Sequence, residues 1–215
     1  MTEVEKAGDE VYMMASHLSG IPVIRGKNRF QAGRLACDKF SPEIIIVDDS
    51  FQHWQLERDL DIVVVDALNP FGYEHLIPRG LLREPLSALQ RADMIIITRT
   101  AHVSEARLDQ IKKVIRSHNN GVKIHTSNHS PKDLKSLACA GEEVSSTDEL
   151  GKRKVLALSG IGNPKSFIKG LEEIGAEVVE SANYPDHYNY KKEDVMNIAM
   201  QAQLSEADLV VTTDK

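Results

Sequence analysis

The chain has 215 residues, 41% of them hydrophobic and 27% charged, with a formal net charge of −6. That composition belongs to a globular protein rather than a disordered one, and the negative balance argues against a general electrostatic hold on nucleic acid. Apolar runs such as Ile44–Val47 and Ile62–Val65 fall far short of the roughly 18 residues that a membrane span needs, and no secretory signal follows Met1.

At about 150 residues per domain the length allows one domain or a domain and a half. Gly8-Asp9-Glu10 leads into a predicted helix, Val11 to His17. Five apolar runs follow, each stopped by polar residues. They are Ile44–Val47 before Asp48-Asp49, Ile62–Val65 before Asp66, and Met94–Ile97 before Thr98-Arg99. The others are Val155–Leu158 before Ser159-Gly160 and Leu209–Val211 before Thr212-Thr213. Continuous β-branched runs without alternation predict strands buried on both faces of a parallel sheet.

Helical patterns lie between the runs. Pro85 is placed to open a helix over Leu86–Arg91. Glu105 to His118 carries Leu108, Ile111, Val114 and Ile115 on one stripe. Pro164 suits a first helical position, and Ser166–Ile174 then ends at Gly175. Alternating strands and helices predict a doubly wound α/β fold, whose ligands bind at the carboxyl ends of the strands. Asn119 to Arg153 is rich in turn residues and reads as a linker with two short strands. The expected organisation is therefore a first domain over 1–118, a linker over 119–153 and a smaller α/β domain over 154–215. Cys37 and Cys139 stand in no metal-ligand spacing and read as free cytosolic thiols.

Several segments bear chemistry. Asp48-Asp49-Ser50-Phe51-Gln52-His53 sets two acids at the tip of a predicted strand, where a Walker B element holds Mg²⁺ near phosphates; the alternative is a simple turn. Arg58-Asp59-Leu60-Asp61 reads as a salt-bridged turn entering a strand. Leu76 to Pro85 is a loop with two arginines and a glycine ahead of a helix start, either an anion site or plain helix capping. His187, in Tyr184-Pro185-Asp186-His187-Tyr188, is either a base oriented by a carboxylate or an exposed loop residue. Asp9 either caps its helix or acts in catalysis.

These segments form an ordered series. It runs Ala7-Gly8-Asp9-Glu10, Gly26-Lys27-Asn28-Arg29, Asp48 to His53, Arg58 to Asp61, Leu82-Arg83-Glu84-Pro85 and Arg91-Ala92-Asp93. It continues with Ser159-Gly160-Ile161-Gly162-Asn163-Pro164, Pro185-Asp186-His187-Tyr188 and Thr212-Thr213-Asp214-Lys215. From about Ala7 to Lys215 the series closely resembles the tetraacyldisaccharide 4′-kinases, the lipid A 4′-kinases of Gram-negative bacteria.

The resemblance implies a P-loop-kinase-like α/β domain with a mostly parallel sheet and helices on both faces, and a smaller α/β domain joined by a β-strand linker. It implies transfer of the γ-phosphoryl group of MgATP to the 4′-hydroxyl of tetraacyldisaccharide 1-phosphate, at the cytoplasmic face of the inner membrane. The implied partners are that lipid and the membrane surface. By the same resemblance Asp9 is the base and His187 its partner. Asp48 and Asp49 serve Mg²⁺ and the phosphates of ATP, while Arg29, Gln52, His53 and Arg83 contact the phosphorylated sugar.

The sequence also departs from the family. No Gly-x-x-x-x-Gly-Lys-[Ser/Thr] occurs among the 215 residues: Gly26-Lys27 is followed by Asn28, and Gly151-Lys152 by Arg153. The expectation is a fragment without the Walker A region, the first strand, the N-terminal membrane helix and the C-terminal end, inactive by itself. The alternative is a non-catalytic product that at most binds the lipid-sugar headgroup. Ser50 stands where the family usually has glycine and Arg79 where it has alanine, so Ser50 is expected to keep a negative φ.

Overall fold

The computed structural model describes residues 8–136, 144–186 and 188–213. Contacts gather these into two compact units, one over Asn28–His129 and one joining the segment up to Lys27 with the residues from Ser130 onward. Among the described residues no helix is long and apolar enough to cross a membrane.

The Asn28–His129 unit begins with helix α2 (Arg29–Phe40), whose first turn is closed by Asn28 Oδ1 accepting from the Gln31 amide at 3.0 Å. Its sheet holds β1 (Ile62–Asp66), β2 (Met94–Thr98) and β3 (Lys123–Thr126), in the order β1-β2-β3 and parallel throughout. Ile95 and Ile97 of central β2 are fully buried. Helix α3 (Glu105–His118) sets Ile111 and Ile115 into the same core, with Leu108 and Val114 beside them. The predicted stripe and boundaries of α3 match the observed ones, because Ser104 caps the Arg107 amide where the apolar periodicity begins.

Two expectations need correction. Ile44–Val47 is no strand; among the described residues no strand pairs with it, and Ile44 and Ile46 are 80% and 91% exposed. A β-branched run favours extended backbone, yet a strand exists only where a neighbour takes its N–H and C=O groups. β1, predicted buried on both faces, is buried on one: Val65 is in the core, while Ile62 and Val64 are exposed. The Leu86–Arg91 element forms as a short 3₁₀ helix behind Pro85. β3, which lies in the stretch read as a linker, completes the first sheet.

In the other unit, α1 (Asp9–His17) starts two residues earlier than predicted, with Gly8 as its N-cap at φ 86°. β4 (Asp133–Lys135) and β5 (Val144–Ser146) pair antiparallel. A second parallel sheet takes the order β7-β6-β8, from β6 (Lys154–Ser159), β7 (Glu177–Asn183) and β8 (Leu209–Thr212). Helix α4 (Pro164–Glu173) connects β6 to β7. It has Pro164 in its first turn, Asn163 Oδ1 capping the Ser166 amide at 3.2 Å, and Gly175 at φ 88° just past its end. Helix α5 (Lys192–Leu204) leads from β7 to β8. Cys37 is free and exposed; Cys139 lies outside the described residues.

Candidate functional site

The Ile44–Val47 run ends in a series of tight turns. Asp49 takes a left-handed φ of 49°, a conformation that aspartate tolerates better than most residues. Ser50 lies outside that region, as its side chain requires; it is buried and donates from Oγ to the Val47 carbonyl at 3.2 Å. The His53 amide bonds the Ser50 carbonyl at 2.8 Å and the Leu56 amide the His53 carbonyl at 3.0 Å. Arg58 pins the far end, donating from Nη1 to the carbonyls of His53 and Leu56 at 2.8 and 2.9 Å. Its Nε and Nη2 engage Asp61 at 2.6 and 3.1 Å, so Arg58 to Asp61 is the salt-bridged turn the sequence suggested.

A second loop faces these turns. Between Phe71 and Leu82 the backbone doubles back on itself. The Leu81 amide bonds the Gly72 carbonyl at 2.9 Å and the Leu82 amide the His75 carbonyl at 3.1 Å. The fold-back leaves no room at Gly80: a Cβ there would lie 2.2 Å from the His75 oxygen and 2.4 Å from the Gly72 oxygen. This loop delivers Arg83 and Glu84.

Arg83 donates from Nη1 to Asp49 Oδ1 at 2.6 Å, across 34 residues of sequence. That hydrogen bond, chiefly, holds the Asp49 carboxyl below its usual range. Partial burial opposes it, and the charges of Arg83, Arg29 and His53 add to the lowering. The same bond raises Arg83. Arg29, half-buried in the first turn of α2, and exposed His53 are thus within electrostatic reach of the pair. Asp48 is exposed beside it. Gln52 donates from Nε2 to Glu84 Oε1 at 2.9 Å.

Because its folded value is depressed, the Asp49–Arg83 pair is complete above the ordinary carboxylate value of 3.8 and is lost only as pH falls through the lower one. A carbon-13 NMR titration of the Asp49 carboxyl is expected to give a midpoint below 3.8, moving up in Arg83→Ala. A midpoint at or above 3.8 in the parent chain would show that the pair does not persist in solution.

Asp48, Asp49, Arg29, Gln52, His53 and Arg83 all belong to the Asn28–His129 unit. Asp9 is the first residue of α1 in the other unit. His187 lies outside the described residues; its flanking loop, at the carboxyl end of β7, is anchored by the Tyr184 amide on the Ser159 carbonyl at 2.8 Å. Tyr184, Tyr188 and Tyr190 pack there with ring centroids 4.8 to 5.4 Å apart.

Two residues beyond the predicted set belong to the site. Glu84 accepts from both Gln52 and Arg91, and the Arg91 guanidinium lies over the rings of Phe51 and Trp54. Both are in segments of the ordered series, Leu82 to Pro85 and Arg91 to Asp93, but their contacts with Phe51, Gln52 and Trp54 reach to a segment far away in sequence.

Two adjacent carboxylates, one with an oxygen committed to Arg83, suit a small hard cation that keeps water and phosphate oxygens as its other ligands. No group of three or more His, Cys, Asp or Glu side chains able to hold a metal occurs among the described residues.

The model of the tetraacyldisaccharide-1-P 4′-kinase family matches residues 1–215. Among curated relatives, a tetraacyldisaccharide 4′-kinase of Halothermothrix orenii is 47% identical, the match covering 100% of this chain and 58% of the relative. Relatives of the same name from Anaeromyxobacter dehalogenans and Syntrophus aciditrophicus are each 37% identical over 98% of this chain, and 55% and 57% of theirs. The chain thus spans a little over half the length of the curated relatives it matches. With a family match over its whole length and relatives this similar, the chain belongs to the tetraacyldisaccharide-1-P 4′-kinase family.

Proposed function

We propose that the chain is part of an ATP-dependent kinase of lipid A biosynthesis that phosphorylates the 4′-hydroxyl of tetraacyldisaccharide 1-phosphate at the cytoplasmic face of the inner membrane. The observation that carries this reading is the Arg83–Asp49 hydrogen bond, with Arg29 and His53 within electrostatic reach of it, in a chain whose relatives bear the name of that activity. A phosphorylated sugar needs forked cationic donors. Arg83 commits Nη1 to Asp49 and keeps further N–H groups for a phosphate or a hydroxyl.

In this reading Asp48 and Asp49 hold Mg²⁺, which when bound neutralises charge on the phosphates of ATP. Arg29, Gln52, His53 and Arg83 orient the lipid headgroup. Asp9, assisted by His187, accepts the proton of the 4′-hydroxyl as its oxygen bonds to the γ-phosphorus and the bond to the ADP oxygen breaks. The protein's contribution is then positioning and charge stabilisation, which is most of what phosphoryl transfer requires.

Calorimetric titration with tetraacyldisaccharide 1-phosphate and its 1-dephospho analogue in detergent tests the headgroup assignment. The phosphorylated lipid is expected to bind about tenfold tighter, a difference of about 1.4 kcal/mol, and the preference is expected to collapse in Arg83→Ala. Equal binding of the two lipids by the parent chain would reject the assignment of Arg83.

A further inference from the structure

Of the arginine–carboxylate pairs in the Asn28–His129 unit, those of Arg83 and Arg91 differ in exposure. The side chains of Arg83 and Asp49 are 57% and 61% exposed, whereas those of Arg91 and Glu84 are 32% and 15% exposed. The exposed pair is open to a ligand. The sheltered pair is in contact with both loops that carry the site.

Arg91 ends the 3₁₀ helix that follows Glu84 and Pro85. Its Nη2 donates to both Glu84 oxygens, at 3.0 and 2.9 Å, and lies 3.4 Å from the Phe51 carbonyl. Its guanidinium carbon is 4.4 Å from the centroid of the Phe51 ring and 4.7 Å from that of Trp54. Glu84, so held, accepts from Gln52. Phe51, Gln52 and Trp54 bracket His53, and Glu84 adjoins Arg83. Arg91 Nε is buried without a hydrogen-bond partner. The guanidinium is therefore oriented by Glu84 and the two rings, at the expense of one of its own donors.

We propose that Arg91 is a positioning residue for the headgroup site. It clamps the Phe51–Trp54 turn to the Arg83–Glu84 segment, so that Gln52, His53 and Arg83 meet the phosphorylated sugar together. This rests on the assignment of those three residues to the headgroup. The role needs a flat cation with several donors; a lysine ammonium matches the charge but provides neither the stacking plane nor the fork.

Trp54 is the single tryptophan of the chain, so its fluorescence reports on the clamp directly. The experiment compares the parent chain with Arg91→Lys, Glu84→Gln and the double variant. It measures thermal midpoint, acrylamide quenching of Trp54, and affinity for tetraacyldisaccharide 1-phosphate and for MgATP. Arg91→Lys is expected to keep the parent midpoint within a few degrees, to raise Trp54 quenching, and to weaken lipid binding about tenfold while MgATP binding is unchanged. Glu84→Gln is expected to do the same, and the double variant to be no worse than the weaker single one, since both break one linkage.

Quenching and lipid affinity at parent values in both single variants would overturn the proposal. So would a lowered midpoint with parent affinity in the folded fraction, which is the signature of a merely structural residue. If the parent chain itself binds no lipid, the functional reading fails separately. Trp54 quenching then still decides whether Arg91 clamps the turn.

Discussion

The Gly80→Ala substitution is expected to lower stability by about 3 kcal/mol or more, a fall of roughly 12–24 °C in the thermal midpoint for a unit of this size. The added methyl would sit 2.2 Å from one carbonyl oxygen and 2.4 Å from another, both of them backbone atoms that no side-chain rotation can move. Relieving the clash means opening the fold-back, which breaks the Leu81–Gly72 and Leu82–His75 hydrogen bonds and displaces Arg83 and Glu84. Gly33→Ala is the control. Gly33 lies inside α2 with nothing within 4 Å of its would-be Cβ, so alanine there is expected to gain about 0.5–1 kcal/mol from the lower entropy of the unfolded chain. Thermal melts in which Gly80→Ala and Gly33→Ala are indistinguishable would show that the fold-back is not rigid.

The second large effect is expected at Asp9 and His187. In the chain completed with the residues of the Halothermothrix orenii relative that fall outside the match, each alanine variant is expected to lower kcat by about 10²–10⁴, the usual worth of a general base in a proton-transfer step. KM for ATP is expected to change little. If the two act as one unit, Asp9→Ala/His187→Ala costs no more than the worse single variant. Steady-state kinetics giving a double loss equal to the product of the single losses would assign them separate roles. The motive is the resemblance of Gly8-Asp9-Glu10 and Pro185-Asp186-His187-Tyr188 to the family's series.

What could be read from sequence tracks how local the deciding physics is. α3 and α4 were legible to the residue or nearly so. Their starts are set by Ser104 and Asn163, their faces by a 3.6-residue period, and the end of α4 by Gly175. β3 and β7 were missed as members of their sheets because both are edge strands with mixed polar and apolar residues. Ile44–Val47 was misread for the opposite reason. Its composition is ideal for a strand, but pairing is non-local and none forms among the described residues.

The site divides in the same way. The ordered motifs name Asp49, Arg83, Gln52 and His53, yet not the 2.6 Å contact across 34 residues that joins the first two. The bond of Glu84 to Gln52 and the stacking of Arg91 on Phe51 and Trp54 depend on how two loops fold against each other, which no periodicity encodes. The turn after Asp48 offers a smaller lesson. The left-handed residue there is Asp49 rather than Ser50, so serine fits where the family usually has glycine.

The most direct test of the account follows label from γ-phosphate-labelled MgATP into tetraacyldisaccharide 1-phosphate, using the chain completed as above. The account predicts label on the 4′-oxygen, its rate lowered by about 10²–10⁴ in Asp9→Ala and strongly reduced in Arg83→Ala. Transfer at the parent rate in both variants, or label on any other oxygen of the lipid, would contradict it.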